Sequence, residues 1–170
     1  MMQTIRCIFD ILGYASTVVV LISATVAIVL WFRGIVPVLV RLGNGLSRRK
    51  IAIFAKGDAV GSLENLLHDS KLFDRANILK ISTDGDLGIA EGATLFLMNW
   101  PDWKHHTSEI LAHKADGTAL IVYAPQDQGL IPPEQLKLLN SKRNVVVTNF
   151  RGRLLNDIVA CMITTSYEKK

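Results

Sequence analysis

Two scales of apolar patterning divide the chain. Residues 11–32 (ILGYASTVVVLISATVAIVLWF) run for 22 positions without a charged side chain. As a helix rising about 1.5 Å per residue, such a run reaches roughly 33 Å, enough to cross a bilayer core. Beyond residue 50 the apolar runs shrink to six or seven residues: KIAIFA from Lys50, NILKIS from Asn77, ATLFLMN from Ala93, ALIVYA from Ala119 and NVVVTNF from Asn144. Between them lie stretches with helical spacing of leucines. The pattern predicts helices opening at Gly61-Ser62 with Ser62 as cap, over 105–113, from Pro132-Pro133 through Leu139, and from Arg151 to Tyr167. Thr83-Asp84-Gly85-Asp86 reads as a turn.

Short strands that are apolar throughout, alternating with helices, predict an α/β domain whose parallel sheet is covered on both faces. Five strands suit the flavodoxin-like order 2-1-3-4-5, which places ligands at the carboxyl ends of the strands near the switch point.

The long run competes with three other readings. A cleaved signal peptide lacks its small-residue cleavage site, since Trp31-Phe32-Arg33 follows the run. A soluble core helix is shorter, and a two-span hairpin does not fit between Ile11 and Leu42. A single membrane span over 11–32 follows, with a tail over 1–10, a juxtamembrane segment and linker over 33–49, and the α/β domain over 50–170. Pro37 is expected to kink or end the helix, and Gly43-Asn44-Gly45 to form a joint. Arg33, Arg41, Arg48, Arg49 and Lys50 follow the span, whereas Arg6 precedes it beside Asp10. The positive-inside rule then puts residues 33–170 in the cytoplasm and residues 1–10 outside an inner membrane. Gly13, Ser16, Thr17, Val20, Ser23, Ala24 and Ala27 recur at three- and four-residue spacing, a mostly small face suited to helix self-association.

Charge separates along the same boundary. Residues 1–50 hold six basic groups and one acidic group, whereas residues 51–170 hold 13 basic and 14 acidic, so the net +4 belongs to the anchor and its contact with anionic lipid. The domain lacks the basic patch of a nucleic-acid binder. No Walker motif or G-x-G-x-x-G occurs, which argues against ordinary NTPases and dinucleotide dehydrogenases. The two cysteines, Cys7 and Cys161, fall on opposite sides of the membrane and do not pair.

The strand-end rule nominates the loops at Lys56-Gly57-Asp58, Asp84-Gly85-Asp86, Asn99 to Trp103, Gln126-Asp127-Gln128 and Asn149 to Arg153. A ligand-binding set of Asn99, Trp100, Asn149, Arg151 and Arg153 results, with the two arginines gripping an anion where a helix begins and Trp100 or Trp103 stacking on a base. The alternative has the arginines solvated and the tryptophans packed. His106, Glu109 and His113 share a helical face, yet lack zinc-site spacing, so no metal is expected.

Ile53 to Asp58 resembles the first strand and acidic loop of TIR and TIR-like domains. Leu95 to Asn99, a tryptophan-containing loop and Ser108-Glu109-Ile110-Leu111 resemble that family's third strand and following helix. The resemblance implies a flavodoxin-like fold and, for NAD-cleaving members, a catalytic glutamate at Glu109. Ala55 and Asn99 stand where serines are expected, so the glutamate lacks its usual company. One span plus a small Rossmann-like domain is also similar to membrane effectors of bacterial antiviral systems, whose nucleotide-sensing domains cluster membrane helices. The expectation is therefore a membrane-anchored homo-oligomeric sensor of a nucleotide second messenger or signalling protein, with no bound cofactor. The alternatives are a tethered NAD hydrolase and a non-enzymatic adaptor.

Overall fold

A computed structural model describes residues 2–128 and 130–165, with the side chains of 2–11, 38–42 and 44–47 left aside. The chain divides into two units, residues 1–42 and residues 43–170.

The first unit is helical. Helix α1 runs over Met2–Ser47. Its stretch Leu12–Pro37, 26 residues, is long and apolar enough to cross a membrane. Within 12–37 every side chain is exposed except that of Val36, which is half-buried. The hydroxyls of Ser16 and Thr17 both donate to the Gly13 carbonyl, at 2.9 and 2.8 Å, and Thr25 donates to Leu21 at 2.8 Å. These bonds pair the hydroxyl donors within the helix itself.

Residues 2–10 are helical, and α1 passes through Pro37 without ending; it also continues through the Gly43-Asn44-Gly45 segment to Ser47, so the joint expected there is helix instead. Proline removes one backbone bond, but the continuing helix pairs every other amide of the apolar stretch around it.

The second unit is a three-layer α/β domain. Strands β1 (Ile51–Phe54), β2 (Ile78–Ile81), β3 (Leu95–Asn99), β4 (Ala119–Tyr123) and β5 (Val145–Thr148) form one parallel sheet in the order β2-β1-β3-β4-β5. This is the flavodoxin-like order expected. Alternate residues of each strand feed opposite cores. Ile51, Ile53, Leu95, Leu97 and Ile121 face α2 (Asp58–Asp69) and α6 (Arg151–Thr165), through Leu63, Leu67, Leu154 and Ile158. Phe54, Phe96, Met98 and Val122 face the other layer, where α3 (Trp100–Trp103), α4 (Thr107–His113) and α5 (Pro133–Asn140) supply Trp103, Ile110 and Leu139. Full burial of each such side chain contributes about 1.5–3 kcal/mol.

Three local expectations are corrected. Helix α2 starts at Asp58, ahead of Gly61-Ser62, because Gly57 at φ 55° makes the turn out of β1 at once. The β2–β3 crossover, read as a turn at Thr83-Asp84-Gly85-Asp86, is a longer 3-10 segment, Asp84–Ala90. It opens where Asp86 Oδ2 accepts from the Thr83 hydroxyl at 2.7 Å and backbone N–H at 3.2 Å, bonds that hold the Asp86 carboxyl below its ordinary range. Residues Trp100–Trp103, read as loop, form a helical turn with Pro101 near its start. The last helix is described to Thr165; Tyr167 lies outside the described residues.

Beyond α1, Arg49 reaches α6. Its guanidinium donates to the backbone carbonyl of Met162, and burial lowers its pKa.

Candidate functional site

The carboxyl edge of the sheet gathers the loops at the switch point between β1 and β3. Two of them are fastened together by one carboxylate. Asp102 Oδ2 accepts the backbone N–H of Lys56 at 2.9 Å and the side-chain amide of Asn99 at 2.7 Å. Asn99, the last residue of β3, is buried in consequence and lies in register with Tyr123, the last residue of β4.

In front of these strand ends lies a cavity of about 300 Å³. Asp58 and Ser62 of α2 form one wall, Asn99 and Tyr123 the floor, and Asp127, Gln128 and Arg151 the far side. The Arg151 guanidinium donates to the Ser62 carbonyl at 2.9 Å, which joins the start of α6 to α2 across the opening. An arginine has five N–H donors, so donors remain for a bound group. Two carboxylates and one guanidinium line the cavity, a balance that suits hydroxyl or amino groups next to a single anionic group better than a polyanion.

A second cavity, about 270 Å³, adjoins the first on the opposite face of the sheet, and Gln128 lines both. Its walls include Trp100, Lys104, Leu130, Pro132 and Gln135. A wider groove of about 490 Å³ lies elsewhere, along His68 to Arg75 between α2 and β2. That groove sits away from the strand carboxyl ends, so the edge cavities are the better site.

The structure brings together only part of the expected set. Asn99 and Arg151 line the first cavity and Trp100 the second. Asn149 is exposed and lines neither. Arg153 lies 3.7 Å from Asp157 on α6 and lines neither cavity. Trp103 is fully buried in the core, edge-on to Phe54 at 5.6 Å between centroids, with Lys56 Nζ 5.0 Å from its ring centroid. No face of it is open for stacking on a base. Sequence reasoning passed over Tyr123 and Ser62 as site residues; the rule that a strand's last residue faces the ligand edge finds the first of them.

Glu109 sits on α4 outside both cavities. Its carboxylate lies 3.0 Å from His106 Nδ1, and His106 Nε2 lies 3.5 Å from Asp84. His113 Nδ1 contacts the Glu109 backbone carbonyl at 3.0 Å, so its ring turns back on its own helix. Among the described residues no group of three or more histidine, cysteine or acidic side chains is placed to hold a metal ion. Cys161 is buried on α6, where desolvation and then the Asp157 carboxylate push its thiol up to about 11, a poor setting for a nucleophile.

Comparison with known protein families, curated proteins and solved structures gives no match for this chain.

Proposed function

We propose that this chain is a membrane-anchored sensor-effector. Residues 11–32 span the inner membrane with the N-terminus outside, and the cytoplasmic α/β domain binds a small nucleotide signal at its carboxyl edge. Ligand binding drives homo-oligomerisation, which gathers the spans through the face of Gly13, Ser16, Thr17, Val20, Ser23, Ala24 and Ala27 and perturbs the bilayer. The likeness to TIR-like and Rossmann-like effectors of antiviral defence supports this architecture.

The observation that carries the reading is the switch-point cavity, where Asn99, Tyr123 and Arg151 converge in front of three adjacent strands. Its size suits one nucleoside-sized group, at the lower end of ligand pockets. Among the described residues, Glu109 lies outside the cavity and Cys161 is buried in the core. That arrangement favours binding over turnover.

The test uses the full chain in lipid nanodiscs, with thermal unfolding followed against a panel of nucleosides and mono-, di- and cyclic nucleotides. At least one compound should raise the melting temperature of the wild type, and Arg151→Ala should remove the shift while remaining folded. Loss of one charge-assisted contact weakens binding by roughly ten- to a hundredfold. If no compound shifts the wild type, the domain is a protein-binding adaptor instead.

A further inference from the structure

The five parallel strands all begin at one edge of the sheet, and the candidate site lies at the other. The loops at the starting edge are residues 48–50, 70–77, 91–94, 114–118 and 141–144. Hydrogen bonds lace neighbouring loops together there. The Thr94 N–H donates to the Lys50 carbonyl at 2.8 Å, the Thr118 hydroxyl to the Ala93 carbonyl at 3.2 Å, and the Asn144 side-chain amide to the Asp116 carbonyl at 2.9 Å. These loops hold eight lysine and arginine residues against three acidic ones. At the site edge the loops and first helical turns, residues 55–58, 82–86, 100–104, 124–134 and 149–153, hold four basic and six acidic residues. A domain of nearly zero total charge is thus polarised from edge to edge. The sequence conceals this, because the cations are scattered over residues 48–143 and only the fold collects them. Arg48, Lys50, Lys71, Arg75, Lys142 and Arg143 are exposed, whereas Arg49 is turned to the Met162 carbonyl. Lys71 holds φ 56°, a conformation that favours glycine, so a cationic side chain is kept where the backbone alone asks for none. Leu72 beside it is 39% exposed, an apolar side chain flanked by Lys71 and Arg75.

We infer that the amino-terminal edge of the sheet docks on an anionic lipid leaflet. The inference rests on the reading of residues 11–32 as a membrane span. Only residues 38–47 separate the apolar stretch that ends at Pro37 from Arg48, about 15 Å of chain as a helix. That short tether presents the edge to lipid at high effective concentration, so a weak attraction suffices to seat it. The tether also favours lipid over a soluble polyanion. From β2 to β5 the edge covers four strand spacings, roughly 19 Å. Lys71 and Arg75 at one end and Lys142 and Arg143 at the other therefore bear on separate headgroups. Each cation brought to an anionic leaflet raises the ratio of docked to free domain about fivefold. Leu72 enters the headgroup layer while the lysine and arginine heads stay with the phosphates. The acidic site edge is then turned away from the leaflet, which leaves the switch-point cavity open to a ligand arriving from solution.

The test uses the full chain carrying Cys7→Ser in nanodiscs of phosphatidylcholine alone or mixed with phosphatidylserine, each containing a headgroup-attached quencher. A fluorophore is placed at Ala76→Cys on the docking edge or at Gln126→Cys on the site edge, both exposed positions. Phosphatidylserine should increase quenching of the Ala76 label and leave the Gln126 label unchanged. The increase should vanish in 1 M salt, where charges act over only about 3 Å. Lys71→Gln combined with Arg75→Gln should lower the docked-to-free ratio about twenty-five-fold while the chain still melts as the wild type does. Equal quenching on the two lipids, equal quenching of the two labels, or wild-type quenching in the double variant overturns the docking. A labelled RNA that binds the chain in phosphatidylcholine discs and is released by the same variant, with no effect of phosphatidylserine, makes the edge a nucleic-acid surface instead. A chain that does not enter the discs at all overturns the span reading and the docking together. A chain that enters them and ignores lipid charge overturns the docking alone.

Discussion

Asn99 donates its side-chain amide to the Asp102 carboxylate at 2.7 Å, and that same oxygen receives the Lys56 backbone N–H at 2.9 Å. The end of β3 and the turn after β1 are thereby fixed to each other on the two sides of the switch point. A site formed at that point inherits its geometry from this carboxylate. Asp102→Ala leaves the Asn99 amide, on a buried residue, without its acceptor. The variant should lose about 1–3 kcal/mol of stability, read as a lower denaturant midpoint for the full chain in detergent. Asp102→Asn, which retains an acceptor oxygen, should lose less.

Cys161 gives a pH dependence of defined sign. Its thiol is raised from about 9 to about 11 in the folded chain, through burial first and Asp157 second. A raised acid means that the unfolded chain releases its proton earlier. The contribution to stability is complete below about pH 9 and is lost as pH rises toward 11. In a Cys7→Ser background Cys161 is the sole thiol. Its alkylation at pH 8 should be slow in the native protein and fast after unfolding. Cys161→Ala should flatten the alkaline limb of the stability profile between those two values.

The anchor is expected to associate through its small face. Ser16 and Thr17 have turned their hydroxyl protons to the Gly13 carbonyl, so close contact there leaves no donor stranded in lipid. Replacing Ser23 and Ala27 together with leucine should weaken association of the full chain, measured by energy transfer between labelled copies in vesicles. Replacing Ile22 and Val29 with leucine should leave it unchanged. Equal behaviour of the two pairs moves the interface to another face.

Glu109 is expected to be dispensable for chemistry. Its carboxylate is engaged with His106 at the α4 surface, away from both cavities. NAD incubated with the full chain should remain intact. Turnover that disappears in Glu109→Gln would install the hydrolase reading instead. Loss of the His106–Glu109 pair itself should change stability by at most about 1 kcal/mol, since Glu109 is more than half exposed.

The sheet was legible because its strands are short, apolar and separated by helical spacing, and each observed strand lies inside a run identified from the sequence. The site was legible only as an edge. The rule for parallel sheets nominates loops, but burial and pairing decide which side chains serve. Trp100 and Trp103 are neighbours in one helical turn, yet one borders a cavity and the other is sealed in the core. Arg151 and Arg153 look equivalent in sequence; a helix turns one toward Ser62 and the other toward Asp157. Helix ends were hardest to read. Pro37 and Gly43 signal a stop in water, but an apolar segment keeps its backbone bonds. Gly57 began α2 early because only its positive φ was needed.

Helix α6 has a hand on each end. Arg151 anchors its first turn to α2 at the cavity mouth, and Arg49, just beyond α1, clasps the carbonyl of Met162 near its last turn. Its 15 residues cover roughly 22 Å as a single hydrogen-bonded column. Fastened at both ends, α6 acts as a splint that holds the Ser62 turn of α2 and the Arg49 segment at a fixed spacing within the domain.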